Sequence, residues 1–322
     1  MREALFIKKN KERWTKTQYM KPDDPDEMAK EFTQLVDDLA YAKTFYPSGK
    51  VTRYINSEAS KIYLDIYKNR KEETNRLLKF WKYDLPLTIR KHHGVVLFSF
   101  ILFLLFFAIG YFTSSQDEEM VRNMFGDTYV NDTLENIRKG NPFQVYEYGN
   151  PFLSWLHLMI HNIRVMIMGY TSGILCGVPS MYILAQNAAM VGVFDEMFVS
   201  QGLGINFWIV VFVHGTLEMT ALIIGAAAGI VLGKSFLFPG TISRWDAFKH
   251  GAKDSIKIIV GLFPVLGLAA FFEGFVTRLY NNLSFLTTGI FALSVIFVIW
   301  YFIIYPIRLH KKIALKLSEE EV

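Results

Sequence analysis

The chain has a single cysteine, Cys176, which excludes an intrachain disulfide. Charge of one sign is also scarce. Lys and Arg number 34 against 30 Asp and Glu, a net charge of +4, too thinly spread for a nucleic-acid surface. No GxxxxGK[ST] run is present, so a phosphate loop of that type is excluded. HExxH is missing too. Met1–Gln18 is charged throughout and lacks an apolar h-region, so no cleavable signal peptide is expected. Strand-like alternation is absent, and the fold class expected is all-α. What the chain has in quantity is apolar side chains: 52% of residues are hydrophobic and the mean hydropathy is +0.23. A soluble domain of this length is usually more polar. The apolar runs lie after position 94. Residues 1–94 therefore read as a cytoplasmic helical domain, 95–305 as a polytopic membrane domain with about six spans, and 306–322 as a cytoplasmic tail.

The N-terminal part reads as a small helical bundle. Residues 2–20 form an amphipathic helix with Leu5, Phe6, Trp14 and Tyr19 as its apolar residues. It either rests on a membrane surface or packs on its own domain. Pro22-Asp23-Asp24-Pro25-Asp26 is a turn and a helix start. Phe32, Leu35, Val36, Leu39 and Ala40 then recur at helical spacing. Pro47-Ser48-Gly49 breaks that helix. Val51–Tyr83 follows as one long pattern, with Tyr54, Ile55, Ile62, Ile66, Leu77 and Trp81 as buried candidates. Pro86–His93 is a basic collar, in which His92-His93 reads as an interfacial pair.

Six apolar segments follow: Val95–Phe112, Phe152–Gly177, Ser180–Val199, Phe207–Leu232, Ile258–Val276 and Phe285–Tyr305. Between the first two lies an external loop, 113–151, in which Asp117–Lys139 reads as helical. Between the fourth and fifth lies a cytoplasmic amphipathic loop, 233–257, in which Phe238-Pro239-Gly240 is a turn and Ser243–Ile256 reads as an amphipathic helix with Trp245 and Phe248 facing lipid. Lys and Arg number twenty in residues 1–94, five in 233–257 and four in the tail, against three in 113–151. Six spans put the cation-rich segments on one side, so both termini are expected in the cytoplasm.

The fourth span organises the rest. It carries His214 and Glu218 four residues apart, on one helical face. A carboxylate in hydrocarbon costs at least ~2.5 kcal/mol, which marks it as purposeful. Gly225, Gly229 and Gly233 follow at spacing four, and the second span repeats the pattern with Gly169, Gly173 and Gly177. Such stripes let helices approach closely, within the chain or in a homodimer. At ~1.5 Å per residue, Arg164 and Glu218 lie at matching depths of about 17–18 Å. His161 and His214 also match, one turn further out. With Asn162, Asn187 and Glu273, these residues make the expected buried polar cluster. Three readings stay open: a structural ion pair, a substrate or proton pathway, and a metal site built from His161, His214, Glu218 and Glu273. No cofactor is expected under the first two.

The segments His214–Gly233 (HGTLEMTALIIGAAAGIVLG), Leu237–Arg244 (LFPGTISR) and Glu273–Thr277 (EGFVT) resemble the stage II sporulation protein M family of integral membrane proteins. Phe238, Pro239, Gly240, Ser243 and Arg244 carry the middle motif. Asn162-Ile163-Arg164, with Gly173, Gly177 and Asn187, is similar to the family's Asn-containing spans, and Ala40–Gly49 resembles the start of its longer, non-sporulation members. The resemblance implies a bacterial inner-membrane protein, non-enzymatic, that scaffolds peptidoglycan-related envelope machinery. It also implies protein partners: peptidoglycan hydrolases outside and a MoxR-type ATPase in the cytoplasm. The large N-terminal domain, absent from the short sporulation member, departs from a direct sporulation role. A transporter or channel component and an intramembrane metal-dependent hydrolase are the alternatives.

Overall fold

A computed structural model describes residues 2–19, 25–68, 75–147, 149–280 and 284–320. Among them there are helices and turns and no strands. The chain divides into two compact units, Met1–Arg76 and Leu77–Val322.

The first unit holds α1 (Glu3–Tyr19), α2 (Pro25–Phe45) and α3 (Lys50–Lys68). Phe6 and Trp14 of α1 are buried with Leu35, Ala42, Val51, Ile55, Ala59 and Ile62. Burial of each large apolar side chain stabilises by about 1.5–3 kcal/mol. α1 is thus packed on its own domain through Phe6 and Trp14, with Leu5 exposed. Asp38 accepts from the Trp14 indole at 2.8 Å and pairs with Arg13. The break at Pro47–Gly49 is pinned where the Thr52 hydroxyl donates to the Tyr46 carbonyl at 2.6 Å. The turn expected at Pro22–Asp24 and the side chains of Tyr19 and Ile66 lie outside the described residues.

The single long pattern expected from Val51 to Tyr83 is not one helix. α3 ends at Lys68, and the chain resumes as α4 (Arg76–Lys79), a π-helical turn over Phe80–Asp84 and α5 (Leu85–Lys91). Residues 77–94, expected within the N-terminal domain, belong to the second unit. Leu85 and Ile89 are fully buried there, and the Leu85 side chain fills the space that the missing side chain of Gly261 leaves. Tyr301 and Tyr305 donate, each at 2.8 Å, to the carbonyls of Trp81 and Lys82, which lie in the π turn.

The second unit continues with α6 (His93–Gln116), α7 (Glu118–Phe125), α8 (Asp127–Arg138), α9 (Pro151–Thr171), α10 (Val178–Val199), α11 (Gly204–Leu237), α12 (Arg244–Phe271), α13 (Ser284–Val298) and α14 (Tyr305–Glu320). The segment 113–151 forms two helices rather than the one expected, because Gly126 breaks Asp117–Lys139 with a φ of 82°. Asn150 caps α9 by accepting from the amides of Phe152 and Leu153. Within residues 233–257 the helix expected over Ser243–Ile256 is the first part of α12, which starts at Arg244, while α11 runs into the segment as far as Leu237. Gly240 turns the link between them with φ 67°, and Ser243 caps α12 by accepting from the amide of Asp246 at 3.1 Å. Trp245 is exposed and stacks on the half-buried Phe248.

Among the described residues, four helical stretches are long and apolar enough to cross a membrane: His93–Gln116, Gly204–Leu237, Arg244–Leu279 and Phe285–Glu319. Six were expected. α9 and α10 fall outside the set because polar side chains dilute them: His157, His161, Asn162 and Arg164 on one, Gln186, Asn187, Asp195 and Glu196 on the other. Both nonetheless run beside α11. α9 enters where Trp155 donates to the Gly267 carbonyl at 3.2 Å and continues to the glycines near the far end of α11. Of the most apolar stretch of α11, 56% is buried, against 17% for α6 and for the last helix. α11 is the central helix, as its sequence implied.

The two glycine stripes face each other. A side chain on Gly173 would strike the backbone of Gly229, and one on Gly233 would strike the backbone of Gly173, Cys176 and Gly177. Ser180 donates to the Gly169 carbonyl at 2.6 Å across the same contact, and Gly225 takes Met166 in place of its own side chain. The stripes are therefore occupied inside the chain. A second close contact joins α6 to α10, where Gly110 meets the Ala189 backbone and Gly192 meets that of Phe107.

Candidate functional site

The site lies at the end of the helical bundle where α6 and α12 finish and α9 and α11 begin. α11 supplies His214 and Glu218 from successive turns of one face. α12 gives way there to a π-helical turn over Phe272–Val276. Such turns re-aim side chains and recur at functional sites. Here it carries Glu273 towards α11, with Thr277 one turn further on. One ligand atom from each of His214, Glu218 and Glu273 lies within 4.8 Å of the others. His214 is buried; Glu218 and Glu273 are largely so.

The hydrogen bonds around this trio define its chemistry. Thr277 donates its one hydroxyl proton to the Phe272 carbonyl at 3.2 Å. It therefore accepts from His214 Nδ1, 3.1 Å away, which puts the imidazole proton on Nδ1. Nε2 faces Glu273 Oε1 at 3.9 Å. Asn162, from α9, donates its amide to Glu218 Oε1. An oxygen of each carboxylate lies within 4.8 Å of one on the other. An imidazole lone pair and two carboxylates converging out of water need a proton or a cation between them.

Tyr146, from a 3-10 turn after α8, meets the His214 ring edge-on at 5.6 Å. Burial pushes its phenol well above the ordinary tyrosine range, with the Glu273 charge adding to that. It stays protonated and covers the trio from the direction of residues 113–151. Beside it opens a cavity of about 250 Å³, lined by Tyr146, Ser154, His157, Leu158, Glu273 and Arg278 among others. Arg278 bonds the Gly149 carbonyl at 2.9 Å and Ser154 Oγ at 3.1 Å, tying the start of α9 to the end of α12.

Of the residues expected in the buried cluster, Asn162, His214, Glu218 and Glu273 come together. His161 and Arg164 do not. Both are exposed, and the expected Arg164–Glu218 pair is replaced by Asn162–Glu218. Depth was matched correctly, but residues 161 and 164 share the opposite face of α9 from the one Asn162 presents. Asn187 bonds the Ile183 carbonyl of its own helix at 2.8 Å and stands apart. His92 and His93 are also elsewhere: His92 pairs with Asp254 at 3.0 Å and His93 lies against the Phe302 carbonyl. The sequence reading missed Thr277 and Tyr146. Thr277 was signalled by its place four residues after Glu273; Tyr146 carried no local signal. It also missed Asp195, buried in α10, and Glu196, which accepts from Ser114 at 3.0 Å.

Fold and site together define a class: an α-helical integral membrane protein with a cluster of titratable side chains held at one end of its helical bundle. Residues 99–278 match the family model described as stage II sporulation protein M. That is more than half of the 322 residues and includes all of His214, Glu218 and Glu273. The chain belongs to the stage II sporulation protein M family. Residues 4–68, the three helices of the first unit, match a domain of unknown function, DUF8413. No curated protein and no solved structure matches the chain.

Proposed function

We propose that this protein is a non-enzymatic scaffold of the bacterial inner membrane that holds cell-envelope machinery in place. The observation that carries the reading is the sealed half of α11. From Ala221 to Gly233 every residue is buried, and the glycine backbones lie directly against the chain that links α9 to α10. A conduit needs polar or hydrated walls along its whole length. On α11 itself the polar side chains stop at Thr220 and do not resume before Lys234, which argues for a rigid body rather than a transporter.

The sidedness follows from charge. Whether α9 and α10 cross as a pair or not, the number of crossings between α6 and α11 stays even. The same segments then fall on the same side with four spans or six. The excess of Lys and Arg in residues 1–94, in residues 233–257 where α11 ends and α12 begins, and in α14 supports cytoplasmic termini. α7 and α8 then face the periplasm, where family resemblance points to peptidoglycan hydrolases as partners. Residues 1–76 face the cytoplasm, where it points to a MoxR-type ATPase.

Photo-crosslinking amino acids placed singly at Asp132, on the exposed side of α8, and at Thr33, on α2, test this in native membranes. The expected result is a distinct partner at each position, with envelope hydrolases at Asp132. Crosslinks only to the protein itself, together with proton or ion flux through reconstituted vesicles, would overturn the scaffold reading in favour of transport.

A further inference from the structure

We infer that His214, Glu218 and Glu273 form a binding site for a zinc-class divalent metal ion. The inference does not depend on the scaffold reading, since a metal could clamp the bundle whatever the protein holds.

Four observations carry it. First, the ligand atoms converge. Bonds of about 2.0–2.2 Å from zinc to nitrogen or oxygen set neighbouring ligands about 3.4 Å apart at the tetrahedral angle. The 3.9 Å between His214 Nε2 and Glu273 Oε1 is too long for a hydrogen bond and close to that spacing. Second, the imidazole is held from behind. Contacts from His214 Nδ1 to Thr277 Oγ1 and from Thr277 Oγ1 to the Phe272 carbonyl fix the ring with Nε2 towards Glu273. Histidines that bind metals have their second ring nitrogen held in this way. Third, the carboxylate of Glu218 is oriented from outside by Asn162, the kind of outer contact that fixes a ligating carboxylate. Fourth, the charges cancel. Two carboxylates and a divalent ion make a neutral unit, which removes the cost of placing uncompensated charge among apolar helices.

The donor set selects the class of ion. One imidazole and two carboxylates suit zinc, manganese, iron or cobalt. Calcium and magnesium favour all-oxygen sites with more ligands or retained water. Three protein ligands leave a fourth position, and the cavity beside Tyr146 and Glu273 gives it a way in. The exposed His161, once a candidate fourth ligand, is on the wrong face of α9. Since His214 and Glu218 belong to α11, Glu273 to the turn after α12, and Asn162 to α9, the ion would fasten three helices at one end.

The test uses the full chain purified in detergent with an affinity tag that contains no histidine. After chelation, Zn2+ is titrated against a fluorescent chelator, and Co2+ is added separately as a spectroscopic probe. About one equivalent of Zn2+ is expected, with a Co2+ absorption band and an X-ray absorption shell that contains one imidazole. Glu218→Gln and Glu273→Gln should each weaken Zn2+ binding at least ~100-fold, and Asn162→Leu about 10–100-fold. His161→Gln should leave it unchanged. Less than about a tenth of an equivalent in the wild type would overturn the inference. So would a Co2+ shell without imidazole, or equal affinity in wild type and Glu218→Gln. If the glutamate variants fail to fold, the wild-type Co2+ spectrum decides alone.

Discussion

The contact between α9 and α11 gives the strongest quantitative prediction, through Gly229→Ala. A methyl group at position 229 would overlap Ser180 Oγ and would sit 2.8 Å from the Gly169 carbonyl oxygen and 3.0 Å from that of Tyr170. Two of these three neighbours are backbone. No rotamer change relieves them, and α9 must retreat by about 0.6 Å to reach ordinary contact. Overpacking of this kind costs about 1–3 kcal/mol. The retreat also strains the hydrogen bond from Ser180 to the Gly169 carbonyl, worth about 1 kcal/mol. Alanine returns up to about 1 kcal/mol of helix propensity over glycine. The expected net loss is about 1–3 kcal/mol. The matching control is Gly289→Ala in α13, where an added Cβ meets nothing within 4 Å and the change should stay within about 1 kcal/mol. Both variants and the wild type should be unfolded in mixed micelles by rising SDS fraction, with tryptophan fluorescence as the signal. If Gly229→Ala is as stable as Gly289→Ala, the backbone-to-backbone packing described here is wrong.

Two further outcomes are expected. Leu85→Ala should lower stability in the same assay by about 2–5 kcal/mol, because a fully buried leucine leaves a cavity over Gly261; a loss under about 1 kcal/mol would place residues 77–94 outside the membrane unit. Cys176, the single cysteine, is exposed in the turn between α9 and α10. It should react with a membrane-impermeant maleimide in inverted vesicles and not in intact cells, with Cys176→Ser as the blank. Labelling of intact cells would put that turn, and the neighbouring end of α11, on the external side.

Much of this arrangement could be read from residue spacing, and the failures share one cause. Spacing along a helix gives depth and face for that helix alone. His214 and Glu218, four apart, had to share a face. The glycines at 169, 173 and 177 and at 225, 229 and 233 had to form narrow stripes. Glu273 was placed near the same end by counting residues. All of that holds. What one helix cannot reveal is how its neighbour is rotated. Arg164 and Asn162 sit at nearly the same depth on α9, yet differ by about 200° around its axis at 3.6 residues per turn. Charge made Arg164 the natural partner for Glu218, and rotation gave the contact to Asn162 instead. Tyr146 lay further from reach, since only the path of the chain through α7 and α8 returns it to His214.

That same substitution of amide for guanidinium changes what the site can be. An Arg164–Glu218 pair would have closed the cluster on itself as a neutral structural bridge. Asn162 orients Glu218 without neutralising it, and Thr277 orients His214 without giving it a proton to share with the carboxylates. The nearest guanidinium at this end, Arg278, lines the adjoining cavity and is engaged with Gly149 and Ser154. The charge of Glu218 and Glu273 is therefore balanced either by a proton taken up within the pair or by a cation from outside the set of side chains that position them. That is why the site, rather than the apolar helices around it, is the place to look for a bound ion.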